Sequence, residues 1–429
     1  ERWWCLALTG YAHHAAQAFA AADPAFDAAL RDMPREERCR WTDLSPLMER
    51  LPASYRQESC EERAGTERLV WWLADPLYLV PGNERRTEHY ARHVMNRMQA
   101  GARSGYGLRW GDDLRELLLR YGWPIGFTRN ESRRSIDATG TSVTAHHDPV
   151  SRRFLPDPEL GELDPDRPRS SYAPPYAASV EELEPQIAVF RRGDSAVVVA
   201  GYDLSRAPRF PSGVPVRVEA ALVVVADPQA EPIVARQHGS GPVDVLALIS
   251  PGQPGLISVE ALARADTIRA YRARERLPVA QPPNEIGVSD PLLLRVGDED
   301  SLPVSLEDAI PEARGSARIP SGQRLGLFWE MYGLDRHRVG ATVSLTVTKT
   351  GAGFLRRAAE WAGLAGKYRP SVRLSWVEPP ATHRVHPRSL VITFPETSPG
   401  TYVLEIAARS ADGATASVRR VLTIEERRE

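Results

Sequence analysis

Apolar residues follow a helical rhythm in the first part of the chain and a strand rhythm in the last. From Gly10 to Ala22 and from Ala25 to Leu30 they recur three and four apart, predicting two helices closed by Met33-Pro34. Asp23 is placed to cap the second helix and Pro24 to open it. The aromatic run Leu69-Val70-Trp71-Trp72-Leu73 leads through Asp75-Pro76 and Pro81-Gly82-Asn83 into a helix predicted from Glu84 to about Gln99. Tyr90, Val94 and Met98 fall on one face of it. A loop with Gly101, Gly105 and Gly107 comes next, and Leu117–Tyr121 reads as a short buried strand stopped by Gly122-Trp123-Pro124. Residues 131–185 are polar and proline-rich. They carry too little apolar area to offset the entropy of ordering and read as a linker.

From residue 186 onward the pattern is β. Strands are predicted at Gln186–Phe190, Ala196–Tyr202, Val214–Val225, Ile233–Arg236, Val243–Ile249, Gly255–Glu260 and Thr267–Arg272, with Gly, Pro and Asp turns between them. After Pro282-Pro283 a second set runs Pro291–Val296, Arg324–Tyr332, Ala341–Thr348, Val372–Val377, Ser389–Phe394, Gly400–Ala408 and Ser417–Ile424. Phe354 to Leu364 reads as a short helix inserted between two of these. The turn–strand–turn running from Pro399-Gly400 through Tyr402 to Asp412-Gly413 resembles immunoglobulin-like sandwiches, where a tyrosine hydroxyl ties a strand to an adjacent loop. The expected fold class is therefore multidomain α+β: a helical hairpin and a small α/β domain, then two tandem β-sandwiches.

Composition sharpens the class. With 42% apolar and 26% charged residues the chain is globular, and 429 residues are too many for one core. Lys+Arg 54 against Asp+Glu 56 leaves a net charge of −2, without the basic footprint that non-specific nucleic-acid binding needs. No apolar run is long enough for a membrane span. Lysine occurs only as Lys349 and Lys367, so basic charge is almost all arginine, for which a GC-rich genome is the simplest reading. Cys39 and Cys60 flank a short stretch with Pro46 and Pro52 and are the pair expected to form a disulfide; three reduced, buried cysteines are the alternative. The chain begins at Glu1 without methionine, so a missing upstream segment with room for an export signal is expected.

Two resemblances organise the first half. Small Gly10, Ala22 and Ala29, large Phe19 and Phe26 and the closing Pro34 match the spacing of a tetratricopeptide-type hairpin. One such unit cannot bury its own apolar face, so either more repeats precede Glu1 or the hairpin docks on the segments C-terminal to it. The series Trp72…Asp75-Pro76, Pro81-Gly82-Asn83-Glu84, His89-Tyr90-Ala91-Arg92, Trp110-x-x-Asp113 and Tyr121-Gly122-x-Pro124 resembles the GWxTD domain of exported bacterial proteins. In the name-giving motif the glycine position is Arg109 and the threonine position Asp112. The resemblance covers about Arg68 to Pro124 and implies an extracytoplasmic protein (periplasmic, secreted or on the cell surface), with Trp110, Asp113, Tyr121, Gly122 and Pro124 as structural motif residues. It carries no reaction with it. The expected layout is 1–64 tetratricopeptide-like, 65–130 GWxTD-like, 131–185 linker, 186–280 first sandwich and 281–429 second sandwich.

Candidate chemistry is sparse. His146-His147-Asp148 has the residue types of a zinc or iron site; solvated loop residues are the plainer reading. His89 and His93 stand four apart on a helix, but Glu88 lies outside the pair, unlike the zinc-protease arrangement. His13-His14 is explained by packing or exposure. Asp112, Asp113 and Glu116 are candidate paired carboxylates, with Asp113 bound to loop amides, Arg85 or Arg109 as the structural alternative. Trp71, Trp72, Trp110 and Trp123 are expected to build a small core. No nucleophile elbow or phosphate-binding loop occurs. The expectation is a non-enzymatic interaction or assembly protein of a bacterial envelope, without cofactor, that binds envelope proteins or itself, with Arg324–Tyr332 (carrying Phe328 and Trp329) or an edge strand of either sandwich as the segment that pairs with another chain. The alternatives are a metal-assisted hydrolase using His146, His147 and Asp148, and carbohydrate binding through Trp329, Trp361 or Trp376.

Overall fold

Helices α1 (Arg2–Ala15), α2 (Phe19–Asp32), α3 (Arg35–Thr42), α4 (Ala64–Ala74), α5 (Glu84–Met98) and α6 (Asp112–Tyr121) build the first of two units. The structure, a computed structural model, describes residues 1–52, 54–103, 109–132, 140–154, 166–168, 170–211, 213–277, 286–296, 302–335, 340–350, 372–380, 382–393 and 399–426. The first unit comprises Glu1–Glu181, Asp227–Pro232 and Glu260–Glu275; the second comprises Glu182–Ala226, Ile233–Val259 and Arg276–Glu429.

In the first unit α1 and α2 approach so closely that a Cβ on Gly10 would lie 2.9 Å from the Phe26 ring. The break between them falls at Ala16–Ala18, with Gln17 at φ +58°, and not at Asp23-Pro24 as predicted. Pro24 lies inside α2, and Asp23 caps nothing there because its carboxylate accepts the Asn83 N–H at 2.8 Å and an Arg86 N–H at 2.9 Å. The hairpin docks on α5: Trp3, Ala7, Phe26, Met33 and Trp41 share a core with Tyr90, Ala91 and Val94. A second core gathers Leu44, Leu47, Tyr55, Val70 and Trp71. Cys39 and Cys60 are joined by a disulfide across 5.4 Å between Cα atoms, while Cys5 is free and exposed.

Two predictions fail here for identifiable reasons. Leu117–Tyr121 is the end of α6 and not a strand; of its leucines only Leu118 is fully buried, and an amphipathic helix of this length presents the same local run of apolar residues. Residues 131–185, expected to be a linker, are tied into the fold where described. Gly126–Ser132 pairs with Gly140–His146, Met48–Arg50 pairs with Asp166–Pro168, and Phe154, Tyr172 and Val180 are buried. Few apolar residues suffice because the backbone beside them is paired, Arg152 with Tyr172 and Val180 within a strand.

In the second unit the predicted strands are present, most of them a few residues longer. Gln186–Arg192, Ser195–Asp203 and Val243–Pro251 form one antiparallel sheet, and Arg217–Val225 pairs with Ile233–Ser240. Toward the C-terminus five strands run in the order Arg318–Pro320, Thr415–Glu425, Gly400–Ser410, Ala341–Lys349, Val372–Glu378, the first pair parallel and the rest antiparallel. Facing them is Arg324–Tyr332, whose Leu325, Leu327, Trp329 and Met331 share a core with Val343, Leu345, Val347, Leu404 and Ile406. Its other face sends Phe328 into a second core with Phe190, Val199, Leu292, Leu294 and Leu306. Of the two segments expected to pair with another chain, this strand is already occupied, since it pairs with Leu292–Leu294 on one side and Val385–Thr393 on the other. Helix α7 (Leu306–Glu312) has no counterpart among the predicted elements, although Ser305, which accepts the Asp308 N–H, is a recognisable cap. The helix expected at 354–364 lies outside the described residues.

Replacing both Cys39 and Cys60 by alanine should cost ~3 kcal/mol by the loop-closure argument. Urea unfolding of the double variant beside the oxidised protein measures this, and an unchanged midpoint would contradict it.

Candidate functional site

Helix α5 is the polar centre of the first unit. Asn83 caps it by accepting the Arg86 N–H at 2.8 Å, and Glu84, Arg85, Thr87, His89, Arg92, His93 and Asn96 are all buried. Charged side chains are rarely buried without partners, so each one raises the question of what it meets.

Toward its N-terminus α5 meets a carboxylate-rich cluster. Glu84 accepts the Tyr176 hydroxyl proton on Oε1, while its Oε2 has no partner among the described residues. Nearby Asp75 accepts the Leu77 N–H at 3.1 Å, and Glu260 accepts the Leu79 N–H at 2.7 Å. Two arginines answer them. Arg272 donates to the Asp75 and Pro76 carbonyls, both at 3.0 Å, and Arg274 to those of Leu73 and Asp75 at 2.9 and 2.7 Å. These guanidiniums therefore close the C-terminal end of α4, where the helix dipole favours cations. Burial, reinforced by neighbouring carboxylates, pushes Asp75 well above the usual carboxylate range. Burial outweighs the Tyr176 hydrogen bond at Glu84, which rises to about 8 and holds its proton at neutral pH.

In the middle of α5, Thr87 Oγ1, His14 and Glu88 stand in hydroxyl–imidazole–carboxylate order: His14 Nδ1 lies 2.9 Å from Thr87 Oγ1 and Nε2 lies 2.8 Å from Glu88 Oε2. This has the connectivity of a catalytic triad, but Thr87 is completely buried and its hydroxyl donates to the Glu84 carbonyl at 3.2 Å. The hydroxyl in the nucleophile's place is thus closed off from solvent. Glu88 also pairs with Arg92, and although burial opposes ionisation, Arg92 and His14 hold it down at about 2. Arg92 in turn donates to the Leu119, Arg120 and Ser171 carbonyls at 3.0, 3.1 and 3.0 Å. It thereby caps α6. Gly122, at φ +76°, ends that helix, and a Cβ there would lie 3.0 Å from Arg92 Nη2.

His89 and His93 are core residues and not boundary positions. The His89 ring lies 4.9 Å from Trp71 and its Nε2 donates to the Trp41 carbonyl at 2.8 Å; His93 stacks on Trp41 at 5.0 Å. Burial keeps both neutral, His93 down at about 3.

The motif residues named from sequence gather around this helix. Trp110 is buried, donates to Asn96 Oδ1 at 3.3 Å and stacks on Trp123 at 5.8 Å. Tyr121 and Gly122 end α6, with Pro124 two residues on. Asp113 is exposed in the first turn of α6, where it suits the helix dipole. Its expected partner Arg85 is buried elsewhere and donates to Ser170. Asp112 and Glu116 pair with Arg115 and Arg120 on the helix surface. Trp123 is 49% exposed, so it roofs the small core and does not fill it.

The metal candidates do not converge. His146 is exposed with its Nε2 2.6 Å from Thr128 Oγ1, His147 turns to the Tyr121 ring at 5.4 Å, and Asp148 accepts the Val150 N–H at 2.9 Å. Partial burial, then the Arg92 charge, lowers the His147 pKa. Among the described residues the one cluster of three such ligand types is Cys39, Cys60 and Glu61, whose sulfurs are already bonded to each other. Trp329 is 1% exposed, which removes it as a sugar platform; Trp376 donates to Glu378 at 2.8 Å, and Trp361 lies outside the described residues.

No protein-family model matches the chain, and no curated protein does. Among solved structures it is similar to the soluble domain of PmoD from Methylocystis sp. ATCC 49242 (Rockwell), at 10% identity and TM-score 0.19, covering 33% of this chain and 90% of that one. It is also similar to red sea bream transglutaminase, at 11% identity and TM-score 0.16, covering 57% of this chain and 32% of that one.

The site sets two expected outcomes. Glu84 is raised above its unfolded value, so its contribution to stability is full below pH about 4.5 and is lost as pH rises through about 8. His93 is lowered, so its contribution is full above pH about 6.5 and is lost as pH falls toward about 3. Glu84→Gln should remove the alkaline loss and stabilise the protein at pH 9 by as much as about 5 kcal/mol, with little change at pH 5. Denaturant melts at the two pH values check this. Gly122→Ala, forced to positive φ and crowding Arg92, should cost about 2 kcal/mol, and an unaltered melting curve would count against that packing.

Proposed function

We propose that this protein is a non-enzymatic interaction and assembly protein of the bacterial extracytoplasmic space, with a divergent GWxTD-type domain in its first half. The observation that carries the reading is the use made of the ionisable groups on α5. Glu84, Glu88 and Arg92 bond to Tyr176, His14 and backbone carbonyls inside the unit, so the residues best suited to acid–base chemistry are engaged in holding elements together. The Cys39–Cys60 disulfide supports an oxidising compartment. No described helix is long and apolar enough to cross a membrane.

The C-terminal strands support an immunoglobulin-like module. The chain passes from Arg324–Tyr332 to the facing antiparallel pair Ala341–Lys349 and Val372–Glu378, returns to Val385–Thr393, and then forms the hairpin Gly400–Ser410/Thr415–Glu425. This alternation between two sheets supports reading it as a Greek-key sandwich. Such modules present sheet faces and end loops to partners.

Two measurements test the proposal. Maleimide labelling of protein taken from its native cells should modify one thiol before reduction and three after it. Cross-linking in intact cells followed by mass spectrometry should join the chain to an envelope protein or to a second copy. A fully reduced native protein that cross-links to nothing would remove the reading. A stoichiometric transition metal in native protein, with turnover of an ester or glycoside, would replace it with the hydrolase.

A further inference from the structure

The C-terminal five-stranded sheet turns one face to Arg324–Tyr332 and the other outward. Along Ala341–Lys349 the residues Val343, Leu345 and Val347 are fully buried in the core, and Thr342, Ser344 and Thr346 point the opposite way. The register sets their neighbours. Ser344 lies beside Ser375 on one side and Ala407 on the other, with Ser417 beyond Ala407. These four small residues form a row across the outward face. The next row toward one end is Val377, Thr342, Arg409 and Thr415. The next toward the other end is Arg373, Thr346, Glu405 and Arg419.

Glu405 and Arg409 stand on one strand, two residues to either side of Ala407 and on the same face. Arg419 donates to Glu405 Oε1 from Nε at 3.1 Å and from Nη2 at 3.0 Å. Both bonds land on one oxygen, so Oε2 has no partner among the described residues. Arg409 is exposed and has no described partner at all. Between them the sheet dips: a depression of about 620 Å³ lies over Ser344, Ala407 and Ser417, and Glu405 and Arg409 also line it. Opposite charges thus flank a small residue at equal spacing, a pattern that complements itself when reversed.

We propose that this face docks a second copy of the chain, the two sheets packing face to face about a two-fold axis at Ala407. Self-association through this surface rests on the interaction reading above. An axis in the plane between the two faces, lying across the strands, reverses Gly400–Ser410 onto its own copy. Ala407 then meets Ala407, and each Glu405 meets Arg409 of the other copy, so Oε2 gains a charged donor at two places. The small middle row lets the sheets approach at least as closely as the usual ~10 Å. Stacked sheets cross at about 30°, an offset that a long arginine side chain spans as it fills the depression opposite. The remaining charges avoid one another. Arg419 comes opposite Thr415. Arg373, on the outermost strand, comes opposite Val377, which is 72% exposed, so its stem packs there while its head stays in water. A small ligand fits less well, because the depression offers no aromatic ring and no buried unpaired polar atom.

The test is sedimentation of the full chain over a range of concentrations, in a Cys5→Ser background that removes the exposed thiol as a route to linked pairs. The parent should pass reversibly from monomer to dimer. Arg409→Glu and Glu405→Arg should each weaken self-association about tenfold or more, since like charges then meet twice. Mixed in equal amounts, the two variants should associate with each other, because the glutamates of one then face the arginines of the other. Ala407→Cys reads the same axis without a charge change: mild oxidation should link it into a dimer, and should not link Val421→Cys on the same face. A parent that stays monomeric, a mixture that associates no better than either variant alone, or an Ala407→Cys that gives no linked dimer would overturn the proposal. A monomeric chain that still cross-links to an envelope protein in cells overturns this surface alone. Association of neither kind overturns the broader reading with it.

Discussion

The first unit depends on burying one polar helix. An α-helix usually offers its neighbours an apolar stripe, and α5 offers Tyr90, Ala91 and Val94 to α1 and α2. Its remaining sides carry acids, arginines and histidines that are equally buried. Desolvating such groups costs more than their mutual attraction returns unless each hydrogen-bonding position is filled. At Arg92 and at the start of the helix the fold fills them with backbone. Arg92 takes the carbonyls that α6 leaves open at its end, and Asn83 takes an amide at the start of α5. Each interaction is directional, so each admits few alternative packings. The helical unit is fixed by matching polar geometry as much as by oil.

The second unit is organised by a different constraint. Arg324–Tyr332 is buried on both faces, so its odd residues serve one core and Phe328 the other. Gly326 is small because a Cβ there would lie 2.9 Å from that of Leu294. One buried polar residue interrupts the strand: Glu330, which receives Arg192 at 2.6 and 2.8 Å and the Tyr332 hydroxyl at 2.9 Å. A fork on a carboxylate fixes register as well as charge, and a strand with two apolar faces needs register fixed.

These two constraints explain what can be read from sequence. Strand positions in the second unit follow from local alternation and turn residues, which act over a few neighbours, so the strands are legible within a few residues. The disulfide is suggested by the short Pro-containing stretch that Cys39 and Cys60 flank. The polar centre is not legible. Arg85 and Arg92 look like ordinary exposed helix residues, and only packing against α1, α6 and residues 170–172 reveals them as buried. Leu117–Leu119 misleads because three leucines in a row suit a strand or a helix equally, while the N-terminal signal of α6, Gly111-Asp112-Asp113, looks equally like a pair of reactive carboxylates. Residues 146–148 mislead in the other direction, because adjacent histidines that share a sequence position in a motif need not share a direction in space.

The scarcity of lysine acquires a structural meaning at particular positions. Genome composition can supply arginine, but it does not decide where one is buried. Arg272 and Arg274 each span two carbonyls at the end of α4, and Arg92 spans carbonyls on two segments while also pairing with Glu88. A lysine has one nitrogen on a flexible stem and gives up more solvation on entering a protein, so it cannot hold three separated acceptors in a fixed plane. A lysine at any of these positions would leave a buried carbonyl without its donor, at a cost of about 1–3 kcal/mol for each orphan. Arg85 marks the limit of the same logic: it carries the same fork in an equally buried place and has only Ser170 as an acceptor among the described residues.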